Sequence, residues 1–211
     1  MKPAPAPTSV SAPLMAVPSA SGLLQTQRLR LHASADKPAL AGAVAAYLRA
    51  NRAHLAPWDP PQAPGASQPA QGRAQLAAAA TAFAAGLAMR WWLTEIDQPG
   101  QVIGSVQLSA ISRGAFHSAN LGYAIAAQQQ GRSLMHEAVR AVIDEAFSAR
   151  VNLHRIQASV RPENSRSVQL LRRLGFAQIG LARRYLFIDG DWRDHLLFDL
   201  SHDQFIRPRG W

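Results

Sequence analysis

The chain has 211 residues and a mass of 22.8 kDa, enough for one sizeable core, and with 48% hydrophobic and 17% charged residues it is not disordered throughout. It contains no cysteine, which excludes disulfides, thiolate catalysis and cysteine-based zinc or iron–sulfur sites and fits a reducing, cytoplasmic setting. Basic residues number 22 against 13 acidic ones, a net charge of +9 carried almost wholly by arginine because Lys2 and Lys37 are the only lysines; such a surface implies anionic partners such as a phosphorylated cofactor, RNA or the ribosome, or reflects no more than genomic base composition.

Met1 to Gly22 is rich in Ala, Pro and Ser, and its prolines interrupt any apolar export segment, so it reads as a disordered tail ahead of one domain over 23–211. No run of roughly 20 apolar residues is present, and no membrane contact is expected. Gln27 to His32 alternates polar residues with Leu29 and Leu31, the period of a half-buried strand. Ser34 and Pro38 then mark a helix start, with Leu40, Val44, Tyr47 and Leu48 at helical spacing up to Asn51. A proline-rich loop, Ala56 to Pro69, follows, and the alanine-rich stretch Gln71 to Arg90 predicts a second helix with Leu76, Ala80, Phe83 and Leu87 on one face.

Trp91 to Ile96 and Gln101 to Ile111 flank the turn tetrapeptide Asp97-Gln98-Pro99-Gly100 and predict a hairpin, with another strand over Ala119 to Ala126. From Leu134, the residues Leu134, Ala138, Val142 and Ala146, with Val139, Ile143 and Phe147 beside them, make an apolar stripe opposite His136, Glu137, Arg140 and Asp144. Arg155 to Val160 reads as a strand, Ser165 to Leu174 as a short helix stopped by Gly175, and Tyr185 to Ile188 pairs with Trp192 to Phe198 across Asp189-Gly190-Asp191. The order β α α β β β α β α β β predicts a mixed α/β or α+β sheet with helices on both faces.

Two segments carry chemistry. In Leu121 to Met135 (LGYAIAAQQQGRSLM) a strand runs through a polar loop into the best amphipathic helix, so unpaired N–H groups and the helix dipole at Gln130, Gly131, Arg132 and Ser133 suit a pyrophosphate. In Arg161 to Phe176 (RPENSRSVQLLRRLGF) Pro162 stops a strand, Asn164 caps the helix or points its amide at a ligand, and Ser167 lies one turn on. Together these segments resemble the GNAT superfamily of acyl-CoA N-acyltransferases. Tyr185 to His195 (YLFIDGDWRDH) and Asn51 to Pro60 (NRAHLAPWDP) look like the ribosomal-protein-alanine N-acetyltransferases of the RimJ/RimL type, and the likeness spans roughly Leu24 to Leu200.

The resemblance implies the GNAT fold, a central, mostly antiparallel twisted sheet splayed at the CoA site, with acetyl-CoA as cosubstrate and no metal. It implies CoA contacts at Ile125, Ala126, Gln128, Gln130, Gly131, Arg132, Ser133, Leu134, Asn164 and Ser167. Within that set the Ile125 N–H would polarise the thioester carbonyl and Ser167 would protonate the leaving thiolate. Trp58 and Tyr185 fall on the acceptor side. The chain departs from the family's pattern at Leu171, where many members carry a tyrosine acid, and at Arg183-Arg184, where a carboxylate often precedes the tyrosine.

The missing base favours an α-amine acceptor. An α-amino group with pKa ~7.7 to 8.0 is already neutral in about a quarter to a third of molecules near pH 7.5, against about one in a thousand for a lysine amine. Glu95, Glu137 or Asp194 could otherwise act through an ordered water. The expected activity is acetylation of a protein N-terminus of the ribosomal alanine or serine kind, by direct attack in a ternary complex, with contact to ribosome or RNA through the basic surface and a monomer or homodimer as the assembly. A small-amine acetyltransferase (polyamine or antibiotic) and a catalytically silent CoA- or ribosome-binding protein remain open alternatives at this point.

Overall fold

The computed structural model describes residues 22–33, 40–61 and 69–208, arranged as eight strands and four α-helices. The strands are β1 (Leu24–Gln25), β2 (Leu29–Ala33), β3 (Met89–Glu95), β4 (Gln98–Ser112), β5 (Ser118–Ile125), β6 (Arg155–Val160), β7 (Ala177–Ile188) and β8 (Asp191–Ser201). The helices are α1 (Leu40–Leu55), α2 (Pro69–Ala84), α3 (Leu134–Phe147) and α4 (Ser165–Arg173). The strands form one sheet in the order β1-β2-β3-β4-β5-β6-β8-β7, antiparallel throughout except between β5 and β6.

Helices cover both faces because successive strand residues point to opposite sides. Trp91 joins the cluster that includes Leu134, Ala138, Val139, Val142 and Ile143 of α3, whereas its neighbour Trp92 packs with Leu40, Val44 and Tyr47 of α1. The α3 stripe is buried as its periodicity requires, each large apolar side chain worth roughly 1.5–3 kcal/mol relative to exposure. Helix α4 ends as its sequence dictates: Gly175 adopts φ 91°, its N–H donates to the Arg172 carbonyl, and the Phe176 N–H donates to the Leu171 carbonyl.

The structure corrects the predicted elements in several places. Helix α2 stops at Ala84, not Arg90, because Gly86 takes φ 67° and the Gly86 and Leu87 N–H groups close the helix on the Phe83 and Ala82 carbonyls. Leu87 is therefore 61% exposed, and Met89 and Arg90 belong to β3, paired with Leu108 and Gln107. The first hairpin turns at Ile96-Asp97, since Glu95 already faces Gln98; Pro99 and Gly100 lie in β4 beside irregular register, where a missing N–H is tolerated. The last hairpin is longer than predicted, β7 beginning at Ala177, and the two-residue β1 was not anticipated. Ser34, Pro38 and the tail up to Ser21 lie outside the described residues; Gly22 is described, and its carbonyl accepts from the Trp91 indole N–H at 2.9 Å. Among the described residues no helix is long and apolar enough to cross a membrane.

Candidate active site

The parallel pairing of β5 with β6 lasts only from Ser118 opposite Arg155 to Asn120 opposite Gln157, after which the two strands part. On the other side of β5 the ladder with β4 continues to Gly104 opposite Ile125. The Ala126 N–H donates to the Ile103 carbonyl at 2.8 Å, so residues 103 and 126 form a hydrogen-bonded pair and the neighbouring pair, Gly104 and Ile125, does not. The N–H and C=O of Ile125, and of Tyr123 two residues earlier, therefore turn away from β4 into the split beside β6. An extended ligand arm laid there would find strand partners waiting.

Beyond Ile125 the chain makes a short 3-10 turn at Ala127–Gln129 and enters α3 through two left-handed residues, Gly131 (φ 78°) and Ser133 (φ 59°). The first-turn N–H groups of α3 have no intrahelical acceptors, and Ser133 makes no side-chain cap to them. Side chains fix this loop from outside. Arg132 donates to both carboxylate oxygens of Glu95 at 2.9 and 2.8 Å and to Gln129. Arg28 donates to the Arg132 carbonyl at 3.0 Å and to Glu137. Burial pushes the Glu137 carboxyl up, but donors from Thr26 and Arg28 outweigh it and hold that carboxyl below its ordinary value. Asn51 accepts from the Ala127 N–H at 3.1 Å, and Gln130 lies between His54 of α1 and Arg166 of α4. Arg132 is thus a strut whose guanidinium is committed to Glu95, and the loop offers a ligand its backbone N–H groups. Leu134 and Ala126 are buried, so they offer only backbone, and Gln128 is exposed.

The far side of the split opens into a cavity of about 540 Å³ lined by Trp58, Tyr185, Asn164 and Ser167, four of the sequence-predicted residues, together with Tyr123 and Ala124 of β5. Gln128 to Leu134 are not among its lining residues; they stand at the loop end of β5. Asn164 is the α4 cap, its Oδ1 accepting from the Ser167 N–H at 3.1 Å. Ser167 Oγ shares a hydrogen bond with the Tyr123 hydroxyl, 2.6 Å away, which bridges α4 to β5. Burial pushes the Tyr123 phenol up to about 12, with the Ser167 bond pulling the other way.

Among the cavity residues that sequence reasoning missed, four bear on the chemistry. Tyr123 and His195 lay inside segments already singled out, and so did Asp59, in the Trp58-Asp59-Pro60 triplet; Arg90 was misassigned to a helix. His195 is 2% exposed, and its Nδ1–H donates to the Arg193 carbonyl at 3.0 Å. The Tyr185 ring lies 5.7 Å from it. Burial drives the Asp59 carboxyl up to about 6, against the pull of Arg90 and His54. The three carboxylates proposed from sequence are elsewhere: Glu95 and Glu137 hold the loop, and Asp194 accepts from the Arg184 N–H at 2.8 Å.

A family model described as an acetyltransferase (GNAT) domain matches residues 28–177, most of the chain. The chain belongs to the acetyltransferase (GNAT) family. Its GNAT relatives include the [ribosomal protein uS5]-alanine N-acetyltransferase of Escherichia coli (strain K12), 38% identical over 178 residues, which cover 84% of this chain and 90% of that protein. Among solved structures, the ribosomal-protein-S5-alanine acetyltransferase from Vibrio fischeri is 32% identical with a TM-score of 0.82, covering 88% of this chain and 99% of that one. Mycobacterium smegmatis RimJ in complex with CoA-disulfide is 28% identical with a TM-score of 0.76, covering 85% and 84%. The splayed, mostly antiparallel GNAT sheet that the resemblance implies is the architecture found.

Proposed function

We propose that this protein moves an acetyl group from acetyl-CoA to the α-amine of a protein N-terminus, of the ribosomal alanine or serine kind, with residues 23–211 as the catalytic domain and the cytoplasm as its setting. The observation that carries the acceptor is the 38% identity to a uS5-alanine N-acetyltransferase across 90% of that protein's length. The split sheet supports the donor. In this reading the pantetheine arm of acetyl-CoA lies against Tyr123 and Ile125, the pyrophosphate meets the N–H groups of Gly131 to Leu134 at the α3 start, and Asn164 and Ser167 form the opposite wall.

The Ile125 N–H, pointing into the split, supplies the donor for the thioester oxygen as negative charge develops on it. The acceptor amine enters from the cavity between Trp58 and Tyr185 and attacks the carbonyl carbon directly; holding both reactants in one cleft replaces a bimolecular encounter by an intramolecular one. Ser167, backed by the Tyr123 hydroxyl, protonates the thiolate as the carbon–sulfur bond breaks. This phenol backs Ser167 from β5, while α4 carries Leu171 where many members of the family have a tyrosine acid. Arg90 and Arg161 in the cavity wall oppose a polycationic acceptor.

The test is free-thiol release from acetyl-CoA with three acceptors: a peptide beginning with Ala, the same peptide N-terminally blocked but containing lysine, and spermidine. Turnover with the first alone is the expected result. Turnover with spermidine or the blocked peptide instead contradicts the reading. A Ser167→Ala variant should keep its acetyl-CoA affinity and lose rate, and an unaltered rate removes the proposed acid.

A further inference from the structure

Resting on the α-amine reading above, we propose that Asp59 is the acceptor-side carboxylate: it receives the incoming primary ammonium in the cavity and takes a proton from it as the nitrogen attacks. Among the described residues lining the cavity, Asp59 is the only acidic side chain. Its carboxylate has no hydrogen-bond partner among the described residues, and a partly buried carboxylate without a donor is a group that a cationic ligand completes.

The position of Asp59 is fixed by the donor side of the site. The Trp58 and Asp59 N–H groups both donate to the Leu55 carbonyl, at 2.8 and 3.0 Å, so the chain folds back at the end of α1 and presents the Asp59 side chain to the cavity. Arg161, which follows β6 and precedes the Asn164 cap, donates to the Pro57 carbonyl at 2.5 Å and lays its guanidinium over the Trp58 ring at 5.4 Å. One arginine therefore ties the segment carrying Asp59 to the wall carrying Asn164 and Ser167. Acceptor carboxylate and leaving-group acid are held in register.

Charged and titratable groups face Asp59 from every side: Tyr47 and His54 from α1, Arg90 from β3, Arg161 beyond β6, and Tyr185 and His195 across the cavity from β7 and β8. Burial raises the carboxyl to about 6, with Arg90 and His54 holding it from rising further, so it is ionised at neutral pH and yet basic enough to accept a proton. The step balances as follows. Asp59 takes one proton from the ammonium; the nitrogen lone pair forms the carbon–nitrogen bond, and the carbon–sulfur pair leaves with sulfur. The second nitrogen proton goes to solvent as the amide forms, Ser167 gives its proton to the thiolate and regains one from solvent, and Asp59 returns its proton to solvent, for a net release of one proton.

The experiment compares wild type with Asp59→Asn and Asp59→Glu. The first readout is the pH profile of kcat/KM for the Ala-starting peptide. The second is calorimetric affinity for that peptide and its N-acetylated form, with CoA present and no turnover. Wild type should rise through about pH 6, fall as the substrate ammonium deprotonates near pH ~8, and bind the free-amine peptide more tightly than the acetylated one. In Asp59→Asn the lower limb and the discrimination should disappear and kcat/KM should drop by about 100-fold or more, with acetyl-CoA affinity unchanged and partial recovery in Asp59→Glu. An Asn variant that keeps both the lower limb and the discrimination overturns the role of Asp59 while leaving α-amine acetylation standing. Wild type that acetylates no α-amine overturns the functional reading instead, and the calorimetric comparison still decides whether Asp59 recognises an ammonium.

Discussion

Gly104 faces Ile125 across the β4–β5 ladder at a pair without its own hydrogen bonds, where strand backbones approach most closely. A Cβ at this position would stand 2.5 Å from the Ala124 carbonyl oxygen, 3.3 Å from the Ile125 Cα and 3.3 Å from Leu93 Cδ1. The first two neighbours are backbone and cannot swing aside, so Gly104→Ala must displace β5 itself, by roughly half an ångström to one ångström, at the residue whose N–H faces the thioester. Overpacking of this kind costs about 1–3 kcal/mol, and a misplacement of about 1 Å at a reacting centre costs up to about 100-fold in rate. Urea unfolding should show a lower midpoint with an unchanged slope, and the steady-state assay should show kcat falling more than acetyl-CoA affinity. A Gly104→Ala variant with wild-type stability and wild-type kcat would refute both the tight spacing of β4 and β5 and the role given to Ile125.

Three further outcomes are expected. Asn164→Ala removes the acceptor for the Ser167 N–H and should cost about 1 kcal/mol in denaturant unfolding, with a lower acetyl-transfer rate because Ser167 moves with the helix start. Glu95→Gln, Arg132→Ala and the double variant should weaken acetyl-CoA binding equally, since each removes the same strut; an additive double-mutant cycle would mean that Arg132 grips the phosphates itself. Because burial raises the Asp59 carboxyl, the native state binds that proton more tightly than the unfolded chain and stability falls as pH rises from about 4 to about 6. Asp59→Asn should remove that fall, gaining on the order of 2 kcal/mol over wild type at pH ~7 and nothing near pH ~4; thermal unfolding at the two pH values reads the difference.

Legibility in the sequence followed burial. Helix α3 and strand β6 were readable because one face of each is packed and the other is wet, so their periods survive in the residue order. The first half of β7 was not, because it is an edge strand whose residues from Ala177 to Arg184 are mostly exposed and whose register with β8 shifts between Ala182 and Leu186. The alanine-rich run reads as helix on propensity through Arg90, whereas the left-handed Gly86 closes it at Ala84 and pairing with β4 claims Met89 and Arg90. At the site, Asn164 and Ser167 were legible because cap and hydroxyl lie within one turn of chain. The Tyr123–Ser167 bridge spans 44 residues, and the contact of Arg161 with Pro57 spans 104, so neither leaves a local pattern. Asp59 was passed over because the carboxylates considered were picked as isolated residues along strands and α3, whereas cavity membership is decided by where the end of α1 folds back.

The central claim is that the acetyl group goes to an α-amine. Its most direct test is a single peptide that begins with Ala and carries an internal lysine, incubated with the enzyme and isotopically labelled acetyl-CoA and then fragmented in a mass spectrometer. The account predicts label on the N-terminal residue alone. Label on the lysine side chain, with the N-terminus unmodified, would contradict it.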